Sequence, residues 1–243
     1  MTLCLPKPPT TLLTKPCGLS DPMAVRLADI EFVPCLSGAV YVPEYDTLLL
    51  ADLHLEKGSS RAHLGQLLPP YDTRAGLLSL QAAIARWAPA RVMLLGDSFH
   101  DAQGPERMAA ADRTLLEQLA TQADFIWLSG NHDSSLPAHL PGSRSVEIAL
   151  GDITLRHEPG AGAVNEIAGH LHPVAAIRRR GRRVRTKCFV ISPARIILPA
   201  FGAYTGGLDV RHEAFRPLLA GDAFRVIMVG KTALHALPGR AVL

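Results

Sequence analysis

Metal-binding residue types follow directly after three short apolar segments of this chain. The segments span residues 48–51, 91–95, which is apolar after Arg91, and 125–128. Continuous apolar runs of this length are typical of strands that are buried on both faces of a sheet. Asp52 and His54 follow the first segment, Asp97 follows the second, and Asn131 with His132 follows the third. Because the carboxyl ends of parallel strands meet at one edge of a sheet, we expect these side chains to converge in one crevice.

The intervals between these strands predict helices. Apolar residues recur at helical spacing at positions 77, 80, 84 and 87, and again at positions 108, 111, 115 and 119. Asp72 or Thr73 is the expected N-cap of the first helix. This alternation of strands and helices predicts right-handed crossovers in a largely parallel sheet.

From residue 146 onward the pattern favours strands that are joined by short turns. The predicted strands span residues 146–149, 153–157, 184–191, 195–198 and 224–229. Helical periodicity is weak in this half, so we expect a second sheet packed on the first and flanked by helices, in the α/β class. The chain has no internal repeat and no linker. Residues 25–243 are therefore predicted to form one domain, and the proline-rich residues 1–24 a loose extension.

The composition excludes several other classes of protein. Hydrophobic residues make up 48% of the 243 and charged residues 19%, which is typical of globular rather than disordered chains. No apolar run approaches the ~20 residues that a membrane helix needs. The four cysteines form no CxxC pair, which argues against a zinc knuckle or a disulfide framework and favours the reducing cytoplasm.

Seven residues supply the side chains that hold a pair of divalent metals in proteins. They are Asp52, His54, Asp97, Asn131, His157, His170 and His172. Carboxylate and amide oxygens suit Mn and Mg, whereas imidazole suits Zn, Fe and Mn, so the mixture favours transition metals over calcium. Two metals about 3.5–4 Å apart clamp the attacking and leaving oxygens of a displacement at phosphorus. The residues therefore predict a hydrolase of phosphate esters.

Each motif alone also has an ordinary structural explanation. Asn131 could cap a helix, Asp97 could begin a turn, and His132 could be a surface residue. Asp-x-His is a weak signal, whereas Gly-Asn-His-Asp and Gly-His-x-His are more specific. Five motifs in this order make the purely structural explanation remote.

The order of the motifs resembles that of the calcineurin-like metallophosphoesterases. Residues 52–172 contain the DxH, GD, GNH, H and GHxH motifs of that family in sequence. The resemblance implies a double β-sandwich flanked by helices, with four layers in the order α/β/β/α. It also implies a first metal bound by Asp52, His54, Asp97 and His172, and a second, bridged by Asp97, bound by Asn131, His157 and His170. By the same resemblance, His132 contacts the phosphate and assists the departing oxygen.

One position departs from that family pattern. Many relatives have GDxxD, where this chain has Gly-Asp-Ser-Phe-His-Asp at residues 96–101. His100 therefore replaces the carboxylate that usually orients the catalytic imidazole. Either Asp101 or His100 could orient His132, and the sequence leaves both open.

A narrower resemblance is to the ligase-associated DNA-damage-response endonucleases, the PdeM family. It depends on residues 52–60, 68–73, 95–101, 168–173 and 198–207, and it extends over residues 25–235. The resemblance implies a metal-dependent endonuclease that is associated with a DNA ligase and helicase repair system. Mn²⁺ is the expected metal, with Fe and Zn as alternatives.

A strongly basic segment follows the predicted metal ligands. Seven of the 25 Lys and Arg residues lie between residues 178 and 187, with Gly181 at the position of a hairpin turn. The candidates for contact with a nucleic-acid backbone are Arg179, Arg180, Arg182 and Arg183. Such contacts would be independent of sequence and would weaken with salt. The alternative is a solvated hairpin that adds solubility.

The leading prediction is a cytoplasmic dinuclear metallophosphoesterase that cleaves phosphodiester bonds, with nucleic acid, above all DNA, as the substrate. The alternative within enzymes is a phosphatase or phosphodiesterase for nucleotides or other small phosphoesters. A third reading is an interaction scaffold that has lost its metals. The complete set of seven ligands disfavours the scaffold, because a scaffold does not need them.

Overall fold

The computed structural model describes residues 2–5, 23–66, 68–219 and 223–243. Most of the predicted extension, residues 6–22, lies outside these described residues. Within the extension, Thr2–Leu5 forms strand β1, which pairs in parallel with Glu147–Leu150 (β9). This end of the chain is therefore an edge strand of a sheet in the structure.

A seven-stranded sheet carries the first three ligand motifs. Its strands, in spatial and in chain order, are β2 (Val25–Leu27), β3 (Ile30–Pro34), β4 (Val40–Val42), β5 (Thr47–Leu50), β6 (Arg91–Leu94), β7 (Asp124–Leu128) and β8 (Ser143–Ser145). The strands from β5 to β8 are parallel, whereas those from β2 to β5 are antiparallel. The predicted parallel sheet is thus confirmed for the strands whose ends carry ligands.

A ten-stranded sheet contains the second half of the chain and strand β1. Its other strands are β9, β10 (Ile153–Arg156), β11 (Glu166–Ala168), β12 (Pro173–Arg179), β13 (Arg182–Ile191), β14 (Arg195–Ile197), β15 (Leu208–Asp209), β16 (Arg225–Val229) and β17 (Leu234–Pro238). Strands β12 and β13 form a long antiparallel hairpin in which Arg179 pairs with Arg182. The basic segment is therefore a hairpin, as predicted.

The described residues form five α-helices. They are α1 (Lys57–His63), α2 (Asp72–Trp87), α3 (Gly104–Arg107), α4 (Ala110–Ala120) and α5 (Arg216–Leu219). Helices α2 and α4 lie in the two intervals that showed helical spacing. None of these helices has the length and apolar character that crossing a lipid bilayer requires.

The predicted N-cap of α2 is wrong. The residue before the helix is Tyr71, whose side chain makes no capping hydrogen bond. Asp72 instead accepts a hydrogen bond from the Gly58 amide (3.0 Å), and Thr73 accepts one from the Glu56 amide (2.8 Å) and donates to the Glu56 carboxylate (2.8 Å). Both side chains are buried, and they hydrogen-bond to residues 56 and 58 in the segment that follows Asp52 and His54.

Apolar packing joins the sheets and the helices. One buried cluster draws Phe32, Leu49 and Met93 from the seven-stranded sheet, and Leu155 and Phe189 from the ten-stranded sheet. A second cluster lies between the seven-stranded sheet and helices α2 and α4, and a third includes residues of the ten-stranded sheet and α5. Burying a Leu or Phe side chain contributes about 1.5–3 kcal/mol. The α/β class is confirmed, and the complete four-layer arrangement stays a prediction.

Candidate metal centre

The seven predicted metal ligands meet where strands of both sheets end. Asp52 and His54 follow β5, Asp97 follows β6, and Asn131 follows β7 in the seven-stranded sheet. His157 follows β10 in the ten-stranded sheet, whereas His170 and His172 lie between β11 and β12. The centre therefore lies between the two sheets, at one end of the core that they share.

One group of donors consists of Asp52, His54 and His172. Their ligand atoms all lie within 4.8 Å of one another. The Nε2 atoms of His54 and His172 are 3.3 Å apart, and His172 Nε2 lies 3.2 Å from Asp52 Oδ1. Burial, above all other causes, lowers the pKa of His54 to about 3, so this imidazole is neutral and offers a lone pair.

A second group consists of Asp97, His157 and His170, with Asn131 beside them. Asn131 Oδ1 lies 2.9 Å from His157 Nε2 and 3.0 Å from His170 Nδ1. Those two ring nitrogens are 3.2 Å apart. Two imidazoles, one amide oxygen and one carboxylate therefore point at the same small volume, which is the donor chemistry that suits Mn, Fe or Zn.

Asp97 faces both groups. Its Oδ2 atom lies 3.3 Å from His157 Nε2 and 3.8 Å from His54 Nε2. The carboxylate is almost completely buried, which would raise its pKa, but its hydrogen bond with His157, the charges of His157 and His54 and the hydrogen bond from the His132 amide together outweigh burial and lower the pKa to about 2. An ionised Asp97 is thus placed to serve both groups.

The orientation of His157 fits the role of a ligand. Its Nδ1 atom lies 2.9 Å from the carbonyl oxygen of Leu95, and a carbonyl can only accept, so Nδ1 carries the proton. Burial alone would lower the pKa of His157, but Asp97 and Asp52 outweigh it and raise the pKa to about 9. The two carboxylates therefore create a negative potential that attracts cations, and the residues present fit a pair of divalent metals.

Five of the seven predicted ligands have left-handed backbone conformations. Their φ angles are 55° at Asp52, 45° at His54, 48° at Asp97, 68° at His170 and 46° at His172. A residue other than glycine in this region costs on the order of 1–3 kcal/mol. Such strain clusters at functional sites because the surrounding fold stabilises it, and here it points the side chains of adjacent loops toward each other.

Two glycines explain why the ligand loops can approach so closely. A Cβ atom on Gly96 would lie 2.5 Å from the ring of His157, and the φ of Gly96 is +81°. A Cβ atom on Gly130 would lie 2.1 Å from Asp97 Oδ1. The glycine that precedes Asp97 and the one that precedes Asn131 therefore have a steric function.

Asp133 supports the candidate centre, and the sequence motifs predict no role for it. It is fully buried, and its carboxylate accepts hydrogen bonds from the backbone amides of Gly130 (3.0 Å), Asp97 (3.1 Å), Ser98 (2.7 Å) and Phe99 (3.1 Å). It thereby ties the loop after β7 to the loop after β6. Its position inside Gly-Asn-His-Asp is the signal that could have identified it.

His132 lies at the accessible side of the centre. Its side chain is 39% exposed, and its Nε2 lies 4.0 Å from Asp97 Oδ2. Its Nδ1 lies 2.8 Å from the backbone carbonyl oxygen of His100, so Nδ1–H is the donor and Nε2 is directed at the centre. The ring of His100 stacks on that of His132, with centroids 5.0 Å apart.

The two side chains expected to orient His132 do not do so by hydrogen bonding. Asp101 makes a two-pronged ion pair with Arg107 (2.9 and 2.7 Å) and is directed away from this task. The imidazole of His100 contacts His132 only by stacking, while its main-chain carbonyl accepts the hydrogen bond. The orienting group is therefore part of the backbone.

The structure does not bring the four predicted arginines to the centre. Arg179 and Arg182 are paired at the tip of the β12–β13 hairpin, and the tip is exposed. Strand β12 begins at Pro173, directly after His172, and six residue steps at ~3.3 Å place Arg179 roughly 20 Å away. The base of the hairpin adjoins the centre, because Lys187 pairs with Val174 there.

The chain is similar to the crystal structure of the Pseudomonas putida nuclease MPE. The two are 26% identical with a TM-score of 0.69, and the match covers 88% of this chain and 98% of that chain. Less similar are Yfce, a phosphoesterase from E. coli (18% identity, TM-score 0.38, covering 81% of this chain and 99% of that one), and a predicted phosphoesterase from Streptococcus pneumoniae TIGR4 (14%, 0.30, 79% and 96%). No family model and no curated protein matches the sequence.

Proposed function

We propose that this chain, a metal-dependent phosphoesterase of the metallophosphoesterase type, is an endonuclease that cleaves phosphodiester bonds in DNA. The single observation that carries the proposal is the convergence of seven donor side chains beside an accessible imidazole, His132. The overall similarity to a nuclease supports the choice of a phosphodiester polymer as the substrate. The narrower resemblance to the PdeM endonucleases supports DNA.

The proposed ligand assignment follows the two groups of donors. Asp52, His54 and His172 would hold one ion, and Asn131, His157 and His170 the other, with Asp97 shared between them. Divalent ions in such a site polarise phosphoryl oxygens and make hydroxide available near neutral pH. We propose Mn²⁺ as the metal, because the set combines carboxylate and amide oxygens with imidazole nitrogens.

His132 is the proposed catalytic residue. The His100 carbonyl holds its Nδ1–H, so the ring presents Nε2 toward Asp97 and the open side of the centre. When Nε2 is protonated, it can donate to the oxygen that leaves phosphorus. The stacked His100 ring and the hydrogen bond fix the plane of this imidazole, which keeps the donor aligned during the reaction.

Nicking of supercoiled plasmid tests the proposal. Mn²⁺ should support nicking by the metal-stripped protein, a chelator should stop it, and bis(p-nitrophenyl) phosphate should be hydrolysed under the same conditions. Full activity of stripped protein in chelator would contradict a metal mechanism. Metal analysis of the purified protein also separates an enzyme from a scaffold that binds no ions.

A phosphatase or phosphodiesterase for small molecules is the second candidate. The observation that favours it is the position of the basic hairpin tip, whose arginines lie away from the donors. Hydrolysis of nucleotides or bis(p-nitrophenyl) phosphate without any plasmid nicking, over the same range of enzyme concentrations, would favour this candidate.

We also propose an association with ligase-linked DNA repair, which the PdeM-like segments support. The expected observation is a gene for an ATP-dependent DNA ligase beside the gene for this chain. A helicase gene in the same cluster would strengthen the association. A genome without either would leave an endonuclease with no link to ligation.

A further inference from the structure

A cavity of about 580 Å³ has the proposed metal ligand His172 in its wall. The rest of the wall includes residues 185–187 at the base of the β12–β13 hairpin, residues 200–203 and 205–207, and Ser37. Three of the wall residues between 202 and 207 are glycines, so backbone rather than bulky side chains borders the space on that side. The cavity is thus an extension of the metal centre with a cationic side.

Lys187 is the partly buried cation of this wall. Its ammonium group donates to the carbonyl oxygens of Ser37 (2.8 Å) and Ala200 (3.3 Å). An ammonium group has three N–H donors, so one is left for a further acceptor. Within the described part of the chain, no carboxylate forms an ion pair with Lys187. Burial is the cause that lowers its pKa to about 8.

A partly buried cation without a counter-ion is costly unless something compensates it. The two carbonyl dipoles of Ser37 and Ala200 compensate part of the charge. An anion in the cavity would compensate the rest, and the proposed metal ligand His172 lies in the wall of the same cavity. The chemistry of the wall therefore favours an anionic ligand.

The strand that carries Lys187 extends this cationic side outward. Side chains two residues apart on a strand lie on the same face, so Lys187 shares a face with Phe189 and Ile191, which are buried in the core between the sheets. Arg185 lies on that face in the other direction, about 7 Å further along, and it is exposed. Its guanidinium donates to the Gly207 carbonyl (2.7 Å), which holds it at the rim of the cavity.

We infer that this cavity is a subsite for the phosphate group next to the scissile phosphate of the substrate strand, and that Lys187 binds that phosphate. Arg185 assists at the rim. The inference rests on the proposed function, because only a substrate with more than one phosphate can use both sites. The tip of the long hairpin then contributes less to substrate binding than its base does.

Lys187 could instead have a purely structural task. Its bonds to Ser37 and Ala200 connect the segment between β3 and β4 with the segment after β14. A structural role alone would affect all substrates equally. A subsite affects only substrates that carry the additional phosphate.

Three dinucleotides separate these roles. TpT, pTpT and TpTp contain the same single phosphodiester bond, and the second and third add a phosphate on one side or the other. We expect one of the phosphorylated dinucleotides to have a kcat/KM at least about tenfold above that of TpT, because a charge-assisted hydrogen bond contributes about 1.5–3 kcal/mol. The ratio is measured within one protein, so a general loss of activity cancels.

The same ratio is then measured in Lys187→Met, Arg185→Gln and Lys231→Met. Lys231 is exposed and lies outside the cavity wall, so its variant is the matched control and should retain the ratio. The ratio should fall close to one in Lys187→Met and fall partly in Arg185→Gln. Arg185→Gln changes only an exposed side chain, so it tests the subsite even if Lys187→Met does not fold.

A pH profile adds a readout that a structural role would not move. The charged and titratable side chains that line the cavity with Lys187 are Arg185 and His172. Since kcat/KM follows the ionisation of the free enzyme, the wild-type ratio should decline above pH 8 as Lys187 loses its proton. Lys187→Arg should extend the advantage to higher pH, because a guanidinium stays charged.

The inference is overturned if the enzyme hydrolyses bis(p-nitrophenyl) phosphate and TpT but neither added phosphate raises kcat/KM. Persistence of the full ratio in both Lys187→Met and Arg185→Gln would also overturn it. Failure to hydrolyse any diester would instead overturn the proposed function, and the subsite with it.

Discussion

The candidate metal centre and the tip of the basic hairpin differ in how their polar and charged side chains are brought together. The donors of the centre are scattered over 121 positions, from Asp52 to His172, yet the fold brings their ligand atoms to within a few ångströms. The arginines of the tip are adjacent in sequence, but they extend into solvent roughly 20 Å from His172 by strand geometry. Proximity along the chain therefore says little about cooperation in space unless the ends of secondary-structure elements are known.

The two regions also differ in what holds their side chains. The centre is fixed by left-handed backbone conformations and by glycines that let its loops approach each other. It is also fixed by the four hydrogen bonds that backbone amides donate to the Asp133 carboxylate. The described contacts of the tip include one marginal ion pair, between Arg183 and Asp209 at 4.0 Å. Exposed pairs of this kind contribute about 0–1 kcal/mol. Substitutions should therefore act on chemistry in the first region and on long-range electrostatics in the second.

The largest effect is expected from Asp97→Asn. The substitution removes the carboxylate charge that faces both donor groups while it keeps the size of the side chain, so activity on every phosphodiester should be nearly abolished. Metal content, measured by mass spectrometry on the same sample, should fall. Asp124→Asn, at an exposed position at the start of β7, is the control and should keep both. Wild-type activity in Asp97→Asn would contradict the assignment of Asp97 as a shared metal ligand.

His132→Ala tests the accessible side of the centre. General acid catalysis contributes about 10²–10⁴-fold, so turnover of a plasmid or dinucleotide should fall by that factor while metal content stays unchanged. The loss should be much smaller for a nitrophenyl ester, whose leaving group needs no proton. His235→Ala, on an exposed residue of β17, should have no effect. Equal losses on good and poor leaving groups would leave His132 with a binding role only.

Asp133→Ala tests the residue that holds the loops of the centre together and takes no direct part in the proposed reaction. The change leaves four buried amides without their carboxylate, and an unsatisfied buried group costs about 1–3 kcal/mol. The free energy of unfolding in urea should fall by at least that amount, and metal affinity should fall with it. A variant of unchanged stability would show that other acceptors replace Asp133.

The smallest effect on chemistry is expected from a fourfold change at the hairpin tip. Replacing Arg179, Arg180, Arg182 and Arg183 by Ser should leave hydrolysis of bis(p-nitrophenyl) phosphate unchanged. If the tip contacts duplex DNA, the slope of log affinity against log salt should fall by about 0.9 for each lost contact. An unchanged slope would show that the tip is a solvated turn that does not contact DNA. A loss of small-diester hydrolysis would contradict the conclusion that the tip lies far from the centre.

The sequence predicted the elements whose pattern is regular and the residues that follow them. The apolar runs at 48–51, 91–95 and 125–128 became β5, β6 and β7, and the helical spacing became α2 and α4. The donors converge because strand direction alone places them at one edge. Short elements such as α1, β2 and β15 have too few residues for a period to be recognised.

The residue roles that the sequence does not predict depend on the path of the backbone. The role of Asp133 needs four amides from two loops, and no pattern in one chain shows that they meet. Asp101 was a reasonable candidate to orient His132, but Arg107 from α3 binds it. The basic segment was recognised as a hairpin, whereas its direction, with Lys187 near the donors and Arg179 far from them, follows only from the register of β12 with β13.

The hydrogen bond from His132 to the carbonyl of His100 has an evolutionary consequence. An acceptor that belongs to the main chain cannot be deleted by a point substitution, because every amino acid brings the same carbonyl to that position. The side chain at residue 100 can therefore vary without loss of the orienting bond, provided that the loop keeps its course. A lineage with this arrangement can exchange the side chain at residue 100, and so alter the surface beside the proposed catalytic histidine, in a single step that leaves that histidine aligned.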